Sequence, residues 1–194
     1  ISLISFSIIF SAFSALFIAP VISKRIGKKR GAILVGIIAF TVAPAPVVLR
    51  LLGVMPENGS AALFPIVLLA VMVETTLVIT LSILTSSMMA DLVEDSEIRT
   101  ARRSEGVLFA AATFARKAVQ GFGVLAASAV LAVVQFPKGV APGQVPEETV
   151  FRLGLYYAPT LFVIWMLMIA SLRLYKIDRE THEGNLRTLA EREE

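Results

Sequence analysis

The stretch from Ser104 to Val134, "SEGVLFAAATFARKAVQGFGVLAASAVLAVV", decides what kind of protein this is. After Glu105 it is apolar or small for about thirty residues, the length needed to cross a hydrocarbon layer roughly 30 Å thick. Two cations, Arg116 and Lys117, nevertheless stand in its middle. Ionisable groups at that depth are costly, and they usually face a bundle interior or a water-filled cavity. The stretch predicts a membrane helix with a polar side.

The rest of the chain supports a membrane environment. It is 56% hydrophobic and only 17% charged, and its mean hydropathy is +0.79, far from the averages of soluble domains. Its long apolar runs are continuous, whereas a β-barrel would show short alternating segments. We therefore predict an all-α polytopic bundle with a transmembrane part over residues 1–173 and a tail over 174–194. The predicted spans are residues 1–22, 31–53, 63–90, 107–136 and 150–173.

The Lys and Arg residues predict the orientation. Thirteen of the eighteen fall in the segment 24–30, the segment 91–105 and the tail from Arg173. By the positive-inside rule these segments are cytoplasmic, so we expect an integral protein of a bacterial inner (plasma) membrane with a cytoplasmic C-terminus. The odd number of spans and the Ile start suggest a piece of a longer protein. Such boundary cations do not form the soluble basic surface that nucleic acid requires.

Inside the spans, polar residues define a candidate site. Thr113, Lys117 and Gln120 repeat at i, i+4 and i+7 and so share one helix face. Glu74 lies at a similar depth on the antiparallel neighbour, so an ion pair with Lys117 is possible. For Lys117 we favour a functional role in lining a cavity, with a structural ion pair as the alternative. For Arg116 we favour a structural role, in contact with a neighbouring helix or with headgroup water.

Other features favour structural roles. Ser7, Ser11 and Ser14 share a face and predict close helix packing, with substrate contact as the alternative. Pro44 and Pro46 predict a kink or local unwinding that is either static or a moving hinge. His182 in the tail is expected at the surface. No catalytic set, metal-ligand cluster or phosphate loop is present in the sequence, so we predict no catalytic residues, no metal site, no cofactor and no enzyme.

The run "MMADLVEDSEIRTARRSEGVLFAAATFARKAVQ" (residues 88–120) resembles the segment joining helices ten and eleven in the glycoside-pentoside-hexuronide:cation symporters, the melibiose-permease-like branch of the major facilitator superfamily. "SKRIGKKRG" (residues 23–31) is similar to the basic loop between helices eight and nine. The resemblance makes the spans helices eight to twelve of twelve. Asp95 and Ser96 stand where that family usually has Tyr-Gly, and Ala101 stands where Gly is common.

The resemblance implies a secondary transporter working by alternating access, a symporter of a sugar, glycoside or related solute coupled to Na+ or H+. Lys117 matches the helix-eleven lysine that connects the sugar and cation sites, with the cation bound mainly by the N-terminal half. A cytoplasmic gate of ion pairs is expected with the 24–30 loop. Its residues are Asp91, Glu94, Arg102, Arg103 and Glu105.

The expected partners are a small-molecule solute, a coupling cation, membrane lipid and the N-terminal half of the same transporter. Two alternatives remain open at this point. One is a family member that carries lipid-like solutes, and the other is a non-transporting membrane scaffold or assembly subunit. A scaffold would tolerate neutralisation of Lys117, whereas a coupled carrier would not.

Overall fold

The computed structural model of the chain describes residues 2–102, 104–141, 143–177, 181–185, 187 and 188. Over those residues it is helical, without strands, and five stretches are long and apolar enough to cross a membrane. This confirms the predicted all-α bundle with five spans. The helices are α1 (Ser2–Ile26), α2 (Lys28–Val42), α3 (Ala45–Leu51), α4 (Leu63–Thr100), α5 (Glu105–Val133) and α6 (Glu147–Leu172).

The second span is interrupted where the two prolines stand. Helix α2 ends at Val42, and α3 begins at Ala45 with Pro44 as the residue before it. Proline has no amide N–H to donate and its ring clashes with the preceding turn. Helical bonding resumes at once, since the Val48 amide donates to the Pro44 carbonyl over 2.9 Å. The predicted break in the second span is therefore confirmed.

Helix α4 is longer than its apolar run. The segment after the predicted span 63–90 was expected to be a loop, which was wrong, because the helix continues through ten mostly polar residues to Thr100. The Arg99 guanidinium lies 2.8 Å from the Asp95 carboxylate one turn earlier, a pairing that supports helix on an exposed surface. Ala101 ends the helix in the left-handed region (φ 52°). At 1.5 Å per residue, α4 is about 57 Å long and extends well beyond a hydrocarbon layer.

The core forms where α1, α2 and α4 meet, with α6 against α2. Small residues let these helices approach closely. A Cβ added at Gly31 would collide with Cγ2 of Ile22 and also contact Leu84. The buried core residues are Ala19, Ala32, Val35, Leu81, Leu84 and Met88.

The serine stripe of α1 lies in this packed region. Ser7 and Ser11 are buried, and the Ser11 hydroxyl donates to the Met72 carbonyl of α4 over 3.0 Å. Ser14 instead donates to the Phe10 carbonyl of its own helix over 2.9 Å. The packing role predicted for the stripe is therefore confirmed for Ser7 and Ser11.

Helix α5 lies at the edge of the bundle. It touches α4 and α6 only lightly, and none of its residues is buried within the described chain. A Cβ added at Gly121 or Gly123 would meet nothing within 4 Å. The helix that carries the two midmembrane cations is thus the least packed helix of the described spans.

Candidate functional site

The residues predicted for a midmembrane site lie on this edge helix. Thr113, Lys117 and Gln120 are all exposed on α5. Lys117 comes twelve residues after the first residue of the helix, about 18 Å along its axis. Among the described residues, its ammonium has no hydrogen-bond or ion-pair partner. The three side chains therefore form an open polar face and not a closed pocket.

Arg116 faces α4. It lines a shallow groove of about 120 Å³ together with Phe109 and Ala112 of its own helix. The opposite wall is formed by Thr85, Ser86 and Met89 of α4. The expected contact between Arg116 and a neighbouring helix is confirmed, whereas Lys117 does not line this groove.

Glu74 does not meet Lys117. The Glu74 carboxylate is half-buried on α4 and interacts electrostatically with Tyr157 of α6. It forms no ion pair with any described residue. The nearby hydroxyls of Thr76 and Thr80 donate to main-chain carbonyls one turn earlier, over 2.8 and 2.7 Å. Those two threonines therefore satisfy their own helix, as membrane hydroxyls commonly do.

A second polar site is built around Asp91, near the C-terminal end of α4. Its carboxylate is buried, and Lys28 Nζ at the start of α2 lies 2.5 Å from Oδ1. The Tyr175 hydroxyl, beyond α6, donates to Oδ2 over 2.8 Å. Burial, that hydrogen bond and the nearby carboxylates raise the pKa of Tyr175, so it remains a neutral donor. Two more residues, Glu94 and His182, lie beside Asp91. We call this cluster, Lys28, Asp91, Glu94, Tyr175 and His182, the charged end.

The segment after α6 is held at the charged end by its main chain as well. Lys29 Nζ donates to the carbonyl oxygens of Arg173 and Tyr175 over 3.2 and 2.5 Å. Carbonyls at a helix C-terminus lack intrahelical partners, and a lysine there satisfies them and favours the helix dipole. Adjacent lysines thus hold two elements: Lys28 binds α4 and Lys29 binds the end of α6.

His182 is not the surface residue that the sequence predicted. Its imidazole is mostly buried, with Nδ1 3.0 Å from Glu94 Oε2 and 3.4 Å from Asp91 Oδ1. One turn later, Asn185 reaches Asp95 over 3.5 Å. The tail therefore folds back onto α4. This return could not be predicted, because no residue pattern links a histidine in the tail to carboxylates ninety residues earlier in the chain.

The expected gate residues are only partly brought together. Asp91 and Glu94 lie one turn apart on α4, and Asp91 pairs with Lys28 as the 24–30 loop prediction requires. Arg102 is exposed and forms no ion pair within the described residues. Glu105 begins α5, and Arg103 lies outside the described residues. The sequence analysis did not predict Tyr175 or His182 as part of this site. A helix over residues 91–100 would have predicted that Asp91 and Glu94 share one face.

The charged end brings together three segments that are distant in sequence. The junction between α1 and α2, the end of α4 and the tail all meet in it. These are the three Lys/Arg-rich segments, and they lie together at one end of the bundle, the arrangement that a shared side of the membrane requires.

Comparison with known proteins gives one match. A family model described as MFS/sugar transport protein matches residues 1–179. The matched range includes all five spans and ends a few residues after α6. No curated protein and no solved structure matches the chain.

Proposed function

Since the chain belongs to the MFS/sugar transport protein family, we propose that it is part of a cation-coupled symporter for a sugar, glycoside or related small solute. Family membership supports a membrane transporter of sugars or other solutes in general. The symport, with Na+ or H+ as the coupling ion, is the finer part of the proposal. It rests on the resemblance of residues 88–120 to the glycoside-pentoside-hexuronide:cation symporters.

The observation that carries the proposal is the open cationic face of α5. Lys117 stands at membrane depth, exposed, on a helix without buried residues. A lipid-facing ammonium at that depth costs about 3 kcal/mol on insertion scales. A facing polar surface would remove that cost. We propose that this surface is the N-terminal half of the same transporter, with the solute between the two halves.

In this mechanism the halves rock about a midplane site, and substrate and cation together stabilise the occluded state. Lys117 contributes a positive charge toward acids on the other half. Thr113 and Gln120, on the same face, offer hydrogen bonds to a hydroxylated solute. Glu74, which lies apart from Lys117 and near Tyr157 of α6, forms no ion pair with a described residue and remains a candidate for solute or cation binding on α4.

The charged end is proposed as the cytoplasmic gate of a transporter in a bacterial plasma membrane. The C-terminus then lies in the cytoplasm. Lys28 and Asp91 belong to different helices, so their separation would accompany relative movement of α2 and α4. Exposed ion pairs are worth only about 0 to 1 kcal/mol. The burial of Asp91 makes this pair a stronger candidate for gating than the exposed Arg102.

The test is solute uptake by the transporter that contains this chain, under an imposed Na+ or H+ gradient. Lys117→Ala should abolish coupled uptake, while the amount of protein in the membrane stays unchanged. Lys138→Ala, in the loop before α6, is the matched control and should transport normally. Normal coupled uptake by the Lys117 variant would reject the role of Lys117. Co-purification with a partner, without any uptake by the unaltered protein, would support a scaffold instead.

A further inference from the structure

The charged end contains two polar atoms that the ion pair between Lys28 and Asp91 does not engage. Glu94 Oε2 and His182 Nδ1 are shielded from solvent, yet neither has a hydrogen-bond partner in the described part of the chain. They lie only 3.0 Å apart. Their orientation is not that of a hydrogen bond, so the two atoms lie close together without satisfying one another. Buried polar atoms without partners are costly, and a positive charge between them would remove the cost.

The spacing of these atoms fits a metal ion. Asp91 Oδ1, Glu94 Oε2 and His182 Nδ1 all lie within 4.8 Å of one another. Nδ1 is 3.4 Å from the Asp91 oxygen and 3.0 Å from the Glu94 oxygen. Zinc binds nitrogen and oxygen ligands at about 2.0 to 2.2 Å, which places neighbouring tetrahedral ligands roughly 3.3 to 3.5 Å apart. Little movement would be needed to bind an ion.

We propose that Asp91, Glu94 and His182 form a binding site for a divalent transition-metal ion of the zinc class. One imidazole with two carboxylates suits Zn²⁺ and its neighbours Co²⁺ and Mn²⁺. The harder Ca²⁺ and Mg²⁺ prefer all-oxygen sites. Three protein ligands leave a fourth position for water. Because two ligands come from α4 and one from the tail, the ion would fasten the tail to the bundle.

The surrounding charges set the strength of the site. Two carboxylates and the Lys28 ammonium give a net charge of −1 when the imidazole is neutral, so a dication is attracted. Lys28 Nζ lies 2.5 Å from the same Asp91 oxygen and repels the ion. The Tyr175 hydroxyl occupies the other oxygen and stays neutral. Removing the Lys28 ammonium should therefore strengthen metal binding at this site. If the cluster were only a salt bridge and bound no metal, the same change would weaken it.

The test uses the purified protein with its complete natural chain, free of affinity tags, in detergent micelles. Co²⁺ and Zn²⁺ are titrated with calorimetry, and Co²⁺ coordination is followed by its visible absorption. One ion per chain is expected. His182→Ala and Glu94→Gln should each weaken binding by at least about tenfold, the loss typical of altered metal-site residues.

Two further variants sharpen the test. Glu148→Gln removes an exposed carboxylate in the first turn of α6, where it pairs with Arg152, and should leave metal affinity unchanged. Lys28→Met should bind the ion more tightly. His182 lies beyond the last span, so its variant tests the site even if Glu94→Gln fails to fold. Absence of binding at millimolar metal, or equal binding by the His182 variant, would overturn the proposal.

Discussion

Helices α4 and α5 are neighbours in sequence and both cross the membrane, yet they are stabilised in opposite ways. Helix α4 contacts α1 and α2 along its length and buries Thr80, Leu84 and Asp91. Helix α5 has no buried residue in the described chain. Lipid tails are as apolar as leucine, so packing and hydrogen bonds, and not escape from water, hold membrane helices together. The comparison locates structural stability in α4 and proposed function in α5.

The largest expected effect comes from the buried ion pair. Asp91→Ala leaves the Lys28 ammonium and the Tyr175 hydroxyl without their acceptor. Removing one partner of a fully buried pair costs 3 to 5 kcal/mol, and the partial exposure of Lys28 reduces this to about 2 to 3 kcal/mol. The measurement is thermal unfolding in detergent. Glu148→Ala, which breaks an exposed pair with Arg152 on α6, should change stability by less than about 0.5 kcal/mol.

Core packing gives the next effect and compares the two helices directly. Leu84→Ala on α4, where the side chain is 1% exposed, should cost about 2 kcal/mol. The cavity term persists in a membrane, whereas the transfer from water does not contribute. Leu125→Ala on α5, where the side chain is 66% exposed, should leave the free energy of unfolding of the detergent-solubilised protein almost unchanged. Equal losses at both positions would show that α5 is packed in the protein as isolated.

Close helix approach can be tested at glycines. Gly31→Leu should destabilise the bundle by about 1 to 2 kcal/mol, because the new side chain collides with Ile22 and Leu84. Gly121→Leu meets open space on α5 and should leave thermal stability unchanged. The stabilities of the two variants are compared by the fraction of each protein that remains monodisperse after heating. A tolerated Gly31 variant would mean that α1 and α2 separate easily.

The smallest effect separates hydroxyls that link helices from those that do not. Ser11→Ala removes a bond to the Met72 carbonyl of α4 and should cost about 0.6 kcal/mol, the average for interhelical bonds in a membrane. Ser14→Ala removes only a bond within α1 and should cost less. Urea or detergent-denaturation midpoints compare the two. A larger loss at Ser14 would contradict the assignment of the α1–α4 contact to Ser11.

The site was less predictable than the fold. Periodicity correctly placed Thr113, Lys117 and Gln120 on one face, and the proline pair correctly predicted the break before Ala45. The segment after Ala90 was misread as loop, because its charges made it look like a connection when they stabilise a helix outside the hydrocarbon. With that helix missed, the shared face of Asp91 and Glu94 was missed as well.

By itself, the sequence determined that this is a membrane bundle and which segments share a side. Long apolar runs and clustered cations are local properties, and the bilayer acts on each of them separately. Only the tertiary structure decided that Lys28, Tyr175 and His182 converge on Asp91 and Glu94, and that Glu74 stays apart from Lys117. Such contacts depend on how helices distant in sequence approach and rotate against one another, which no single stretch of residues specifies.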